Sequence, residues 1–242
     1  MFKSFFHLLF GNKDTQPALA YNLWSGNYDN QPENLMLSLD ETLFGQLLKR
    51  VSIRNKNILD IGCGTGRHWT RLYDEGLASL SGYDVSAGML KILKKKFPNS
   101  LAWKINGTRL VHTADNTIDI LVSTLTIAHI NNVDESLNEW NRVLKPGGYV
   151  IITDYHPVAL EKGGNRTFSF KGKTVAIRNN IHPISMIKQI GSQCLWETIY
   201  FEEKVIDDTL KPFYEKKNAL SIFESFKGVP IIYGIIFKKD DP

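Results

Sequence analysis

The stretch Asn57-Ile-Leu-Asp-Ile-Gly-Cys-Gly-Thr-Gly-Arg67 decides the reading of the whole chain. An apolar run enters three alternating glycines, Gly62, Gly64 and Gly66, and a helical pattern follows. Glycine permits backbone that a Cβ forbids and lets a ligand come against the chain, so this is a strand-to-helix turn built for close approach. Asp84 stands about twenty residues further on, at the end of the next predicted strand, where a carboxylate accepts hydrogen bonds from ribose hydroxyls. Together these features predict an adenosine-containing cofactor at the carboxyl edge of the first two strands. An ordinary turn in an α/β domain needs neither three glycines nor an acid so placed.

Outward from the loop, short apolar strands alternate with helical stretches, the mark of a parallel sheet covered by helices. The strands fall at 57–61, 79–84, 101–106, 118–124 and 148–154. Helices open after Gly66 and run over 86–96 and 134–144, with Ser86 and Asp134 as N-caps that satisfy free amides. The last stops at Lys145-Pro146-Gly147-Gly148, because proline cannot continue a helix and the glycines permit the turn. Residues 1–50 read as helices, with Leu35, Leu39, Leu43, Leu47 and Leu48 at helical spacing. Two short β-like runs around Lys171-Gly172 predict a hairpin inserted at about 163–178. Beyond a helix starting near His182-Pro183, residues 193–205 and 229–238 read as an antiparallel pair closing the sheet edge. The expected division is a helical cap or lid over 1–50 and a cofactor-binding domain over 51–242.

Composition narrows the class. At 242 residues, with 43% hydrophobic and 22% charged residues, the chain can bury a full core, and disorder is excluded. Lys+Arg 29 against Asp+Glu 25 leaves +4, too mild an excess for a phosphate-tracking surface, so no nucleic-acid partner is expected. Two cysteines, Cys63 and Cys194, exclude a disulfide scaffold and a cysteine-rich zinc site. No run of about 18 apolar residues predicts a membrane span. The apolar start at 1–10 carries His7 and lacks a small-residue cleavage site, so the expected compartment is the cytoplasm.

The glycines are spaced Asp60-x-Gly62-x-Gly64-x-Gly66, and Arg67 stands where the dinucleotide fingerprint requires glycine. This spacing resembles motif I of the class I S-adenosylmethionine-dependent methyltransferases. The resemblance continues in order over about residues 20–155. Gly82-Tyr-Asp-Val-Ser-Ala-Gly-Met89 is similar to the second motif, Thr117-Ile-Asp-Ile-Leu-Val-Ser-Thr-Leu-Thr-Ile-Ala-His129 to the fourth-strand motif, and Glu139-Trp-Asn-Arg-Val-Leu-Lys-Pro-Gly-Gly148 to the junction of the small-molecule, type 11-like branch. The resemblance implies a Rossmann-like, mostly parallel seven-stranded sheet with helices on both faces and an antiparallel edge. It implies S-adenosyl-L-methionine as cofactor, S-adenosyl-L-homocysteine as product, and a small-molecule acceptor methylated on O or N, or on C. It places Gly62, Cys63, Gly64 and Gly66 in the loop along the cofactor, Asp60 towards the methionyl part, Asp84 on the ribose, and Val85 and Met89 beside the adenine. Relatives usually carry Asp-Ala after the third strand; Asn106-Gly107 stands there, and an Asn oxygen accepts the adenine amino group without charge.

Methyl transfer is an in-line displacement in which the protein positions the acceptor, excludes water and, for a hydroxyl acceptor, removes a proton. His129, at the end of the fourth strand, is the leading base, set against a structural reading as a partner of a loop carbonyl. His156, in Asp154-Tyr-His-Pro157 after strand five, is a second candidate. Tyr21-Asn-Leu-Trp24 and Tyr28-Asp29 resemble the element that closes over the cofactor in this branch, and Tyr21 in some members works with the histidine. Thr124 is placed to face the methionyl group, while Cys63 reads as a small packing side chain. Methylation of RNA or protein, and cofactor binding without catalysis, are the competing readings. No amino-methylating Asn/Asp-Pro-Pro-Tyr motif follows strand four, where Ser123-Thr-Leu-Thr126 stands.

Overall fold

The computed structural model describes residues 14–31 and 33–241; the apolar start at 1–10 lies outside them. Five strands come first: β1 (Asn57–Ile61), β2 (Ser79–Asp84), β3 (Leu101–Lys104), β4 (Ile118–Thr124) and β5 (Leu144–Tyr155). β6 (Thr167–Phe170) and β7 (Lys173–Ala176) form a separate hairpin, and β8 (Trp196–Val205) and β9 (Pro230–Lys239) return to the main sheet. The seven main strands lie in the order β3-β2-β1-β4-β5-β9-β8, with β9 and β8 antiparallel. The order reverses between β1 and β4, which opens a crevice at the carboxyl ends of these two strands.

Helices α1 (Pro17–Trp24) and α2 (Leu35–Leu48) precede the sheet, and α3 (Trp69–Asp74), α4 (Ala87–Lys96) and α5 (Val133–Val143) lie among its parallel strands. α6 (Pro157–Glu161) follows β5, α7 (Ile184–Gln193) leads into β8, and α8 (Lys211–Lys216) and α9 (Leu220–Phe226) join β8 to β9. Side chains alternate faces along each strand, so Leu59, Leu121 and Ile152 meet α5 and α7, while Ile58, Val122 and Ile151 meet α2, α3 and α4. Both faces are thus covered, as a mostly parallel sheet demands.

Three expectations change. The helix at 35–48 is no detached cap: Leu43, Phe44 and Leu47 are fully buried, and Phe44 and Leu47 share a core with Ile58, Val122 and Ile236 of the sheet. The Lys145–Gly148 turn is a bulge inside β5, since Ile118 pairs with Leu144 and Ile120 with Tyr149. Residues 207–228, unassigned from sequence, hold α8 and α9, whose Tyr214, Phe223 and Phe226 pack on Tyr155 and Ile232. The hairpin forms as its turn residues dictate, with Lys171 (φ 50) and Gly172 (φ 75) both left-handed. It is tied back to the N-terminal segment by the parallel bridge of Thr15 with Ile177.

Candidate active site

A cavity of about 500 Å³ opens at the carboxyl ends of β1 to β4, a size suited to a small ligand. Gly62 and Gly64 lie along one wall, both with left-handed backbone (φ 75 and 53). A Cβ on Gly62 would strike Thr126 Oγ1 at 2.0 Å, whereas one on Gly64 would meet nothing nearer than the Gly62 carbonyl at 3.8 Å. Gly64 therefore leaves open cavity beside its backbone. Asp84, Val85 and Met89 form the next wall, Asn106 and Gly107 the third, and Thr124, His129, Tyr21 and Tyr28 close the far end.

Asp84 is set by its neighbours. The Gly64 N–H donates to its Oδ2 at 2.9 Å and the Ser86 N–H to its Oδ1 at 2.7 Å. Burial pushes its carboxyl up to about 6, with those two amides holding it back. Among the described residues lining the cavity there is no Lys or Arg. A diphosphate would find no cationic side chain there, while a phosphate-free, cationic adenosine cofactor matches the acid, the open glycine and the apolar walls.

Four of the expected residues do not line the cavity. Asp60 shares the strand face of Ile58, on the side of α3, so its Oδ2 accepts from Trp69 Nε1 at 2.7 Å. Burial pushes its carboxyl up to about 7. Cys63 is buried in the core, where a Cβ on Gly82 would lie 2.8 Å from its own Cβ, and its thiol is pushed well above the ordinary value by burial. Gly66 faces Phe97, Leu93 and Trp69. His156 is the correction that matters most. Its Nδ1 caps α6 by accepting from the Val158 N–H at 3.2 Å, and its Nε2 lies 2.6 Å from Glu203 of β8. Strand five stands one place further from the switch point, and its edge is covered by β9 and α6.

At the far end three distant segments converge. Tyr21 Oη lies 2.8 Å from His129 Nε2. Nη1 of Arg166, a residue sequence reading passed over, donates towards Tyr21 Oη (2.5 Å), His129 Nε2 (2.8 Å) and the Leu125 carbonyl (2.9 Å). Nη2 sits 3.6 Å from Asp154 Oδ1 and has no hydrogen-bond partner. His129 Nδ1 lies 3.1 Å from the Arg178 carbonyl, which only accepts, so Nδ1 carries the proton and Nε2 keeps its lone pair. Burial, then the Arg166 charge, lower the His129 imidazolium to about 3, so the ring is neutral at ordinary pH. Burial also drives Tyr21 far above the ordinary phenol value.

The N-terminal helix and the hairpin meet as one aromatic layer over this end. Trp24 stacks on Phe168 with centroids 4.8 Å apart and planes within 3°, and Tyr28 meets Trp24 edge-on at 4.9 Å. Asn22, also unread from sequence, accepts from the Gly88 N–H at 2.7 Å and Ser86 Oγ at 2.8 Å, fastening α1 to the start of α4. Thr65 Oγ1 donates to Asp29 at 2.7 Å, fastening the next segment to the glycine loop.

The methyltransferase-domain family profile matches residues 59–152. The chain is 31% identical over 226 residues to a malonyl-[acyl-carrier protein] O-methyltransferase of Buchnera aphidicola, covering 89% of this chain and 81% of that protein. It is 29% identical over 183 residues to the biotin biosynthesis bifunctional protein BioHC of Cellvibrio japonicus, covering 74% of this chain and 35% of that one. Of several such relatives the chain spans only about a third to a half of the length. A crystal structure from Listeria monocytogenes, described as a putative S-adenosylmethionine-dependent methyltransferase, superposes with a TM-score of 0.64 at 18% identity. That match covers 84% of this chain and 98% of that one, and it bears on the fold. No described helix is long and apolar enough to cross a membrane. A relative matched over most of both chains, a family profile seated on the glycine loop and a superposable fold agree: the chain belongs to the class I S-adenosylmethionine-dependent methyltransferases, in their type 11-like branch.

Proposed function

We propose that this methyltransferase esterifies a carboxylate oxygen of a small organic acid, free or carried as an acyl group. The observation that carries the reading is the far end of the cavity, where the Arg166 guanidinium lies behind a neutral His129 and a protonated Tyr21. A hydroxyl or ammonium acceptor must lose a proton. The imidazole there is a poor base, held near 3 by burial and by a fixed positive charge. A carboxylate needs no base, and both the cationic neighbour and a phenol O–H favour its negative charge. The similarity to an enzyme named for O-methylation of a malonyl group supports the same acceptor class.

S-adenosylmethionine, when bound, supplies an electrophilic methyl group. The rest falls to this chain. Gly62 and Gly64 give the backbone room, Asp84 accepts from ribose hydroxyls, and Val85, Met89, Asn106 and Gly107 border the adenine. Tyr21, Tyr28 and Thr124 flank the reacting end, with His129 shaping it. The aromatic layer formed by α1 and the hairpin keeps water from the acceptor.

The test incubates the enzyme with methyl-labelled cofactor and panels of carboxylic acids, phenols and amines. Labelled products that release methanol in mild alkali are expected from acids alone. Base-stable label on phenols or amines would replace this reading with O- or N-methylation assisted by a base.

A further inference from the structure

Hydrogen positions around Arg166 admit only two arrangements. Nη1 carries two hydrogens and faces three acceptors: the Leu125 carbonyl at 2.9 Å, Tyr21 Oη at 2.5 Å and His129 Nε2 at 2.8 Å. The carbonyl, which has no other donor in this cluster, takes one hydrogen. The second goes either to Tyr21 or to His129. If Tyr21 takes it, the Tyr21 proton turns to His129 Nε2, 2.8 Å away. If His129 takes it, the single lone pair on Nε2 is filled, and the Tyr21 proton must point elsewhere. Tyr21 lines the cavity, so the remaining direction is the acceptor space.

We infer that Arg166 is a positioning residue that frees the Tyr21 hydroxyl proton to turn from His129 to the methyl acceptor. Without a second donor, turning Tyr21 towards an acceptor would leave buried Nε2 unpaired, which is unfavourable in a dry site. Arg166 removes that cost by donating to Nε2 in its place. Its own seat is fixed by Asp154, whose oxygens accept from the Ala128 and Tyr155 amides at 2.7 and 2.6 Å. The titratable groups facing His129 are Tyr21 of α1 and Arg166, with Asp154 of β5 behind the latter; Arg178 meets the ring through its backbone carbonyl. Both necks of the inserted hairpin therefore hold the one imidazole, Arg166 at Nε2 and Arg178 at Nδ1.

The test needs no acceptor for its first half. Nitrogen-15 NMR of the imidazoles, with S-adenosylhomocysteine present, should show His129 neutral and Nδ1-protonated between about pH 5 and 8. Tyr21→Phe should keep that state, because Arg166 still fills Nε2. Arg166→Gln should raise the His129 titration, because the guanidinium charge is gone while the burial remains. In a Tyr21→Phe background, where Arg166 is the remaining donor, Arg166→Lys, which lacks the fork, should shift the Nε2 resonance towards that of a free lone pair, and it carries the test if the Gln variant does not fold. An unchanged Nε2 resonance in Arg166→Lys on the Tyr21→Phe background, or a Tyr21→Phe effect as large as that of Arg166→Gln, would overturn the inference. The second half rests on the carboxylate reading: kcat should fall about tenfold in Arg166→Lys with cofactor affinity intact. The NMR result stands or falls separately from the ester assay, so the two failures are distinguishable.

Discussion

At the glycine-loop end of the cavity, Gly64 and Asp84 are 20 residues apart and joined by a direct hydrogen bond. At the other end, Tyr21 and His129 are 108 residues apart, and Arg166 lies 37 beyond His129. The first end needs only the turns that follow the paired strands β1 and β2. The second exists only when the N-terminal helix, the loop after β4 and the neck of the hairpin have all docked. One end thus works as a motif and the other as an assembly, so substitutions at the two should separate cofactor affinity from turnover.

The largest effect is expected at Gly64. Gly64→Val places a branched side chain in open cavity on left-handed backbone, and S-adenosylhomocysteine affinity should fall more than about 100-fold by calorimetry. Normal binding would show that this loop is not the cofactor seat. Asp84→Ala should cost about 1.5–3 kcal/mol of affinity, roughly ten- to hundredfold, through lost charge-assisted hydrogen bonds. At the assembled end, His129→Gln should lower the turnover of a carboxylate acceptor by about tenfold or less and leave affinity unchanged. A loss of about 10²–10⁴ would make His129 a base after all and move it from assembly to chemistry.

A pH effect sharpens the contrast further. The free-enzyme carboxyl of Asp84 lies near 6, above its ordinary range, so the empty site holds its proton more tightly than the unfolded chain does. Stability of the empty enzyme from this group is greatest at low pH and declines as pH rises from about 4 to 6. Cofactor binding favours the ionised acid, so affinity should run the other way and weaken about fourfold from pH 7.5 to 5.5. Calorimetry at the two values checks it, and Asp84→Asn should flatten the dependence. The smallest effect belongs to His156. His156→Ala should leave cofactor affinity unchanged and lower stability by about 1 kcal/mol through the lost α6 cap, read from thermal melts.

What the sequence made legible follows the same division. The glycines, Asp84 and the alternation of strands are local patterns, and they suffice to predict the sheet and the turn where Gly64 and Asp84 meet. Asp60 lies in the predicted strand, but its hydrogen bond from Trp69 is not legible in sequence, because that partner arrives only when α3 packs on that face. His156 looked equivalent to His129, since both follow strand ends; what differs is that β9 and α6 cover one of them. Arg166 carries no local signal at all. It stands after two glycines and an asparagine, and its importance comes from four partners in three other segments. The helices at 211–226 were missed for a related reason: Tyr214, Phe223 and Phe226 gain helical order from the surface they cover more than from their own short pattern.

The Asn22 contact offers a direct test of whether α1 opens. The Gly88 amide at the start of α4 has its partner on another segment, the Asn22 side chain of α1. If α1 lifts to admit ligand, that amide meets solvent, while the Met89 amide stays bonded to Oγ of Ser86, the cap of α4. Deuterium uptake at Gly88, measured against its neighbour at Met89, therefore reads the frequency with which α1 lifts, separately from fraying of the helix. A saturating ligand that holds α1 down should slow the first and leave the second alone. The ratio of two adjacent amides then becomes a clock for access to the site, needing neither a label nor a known acceptor.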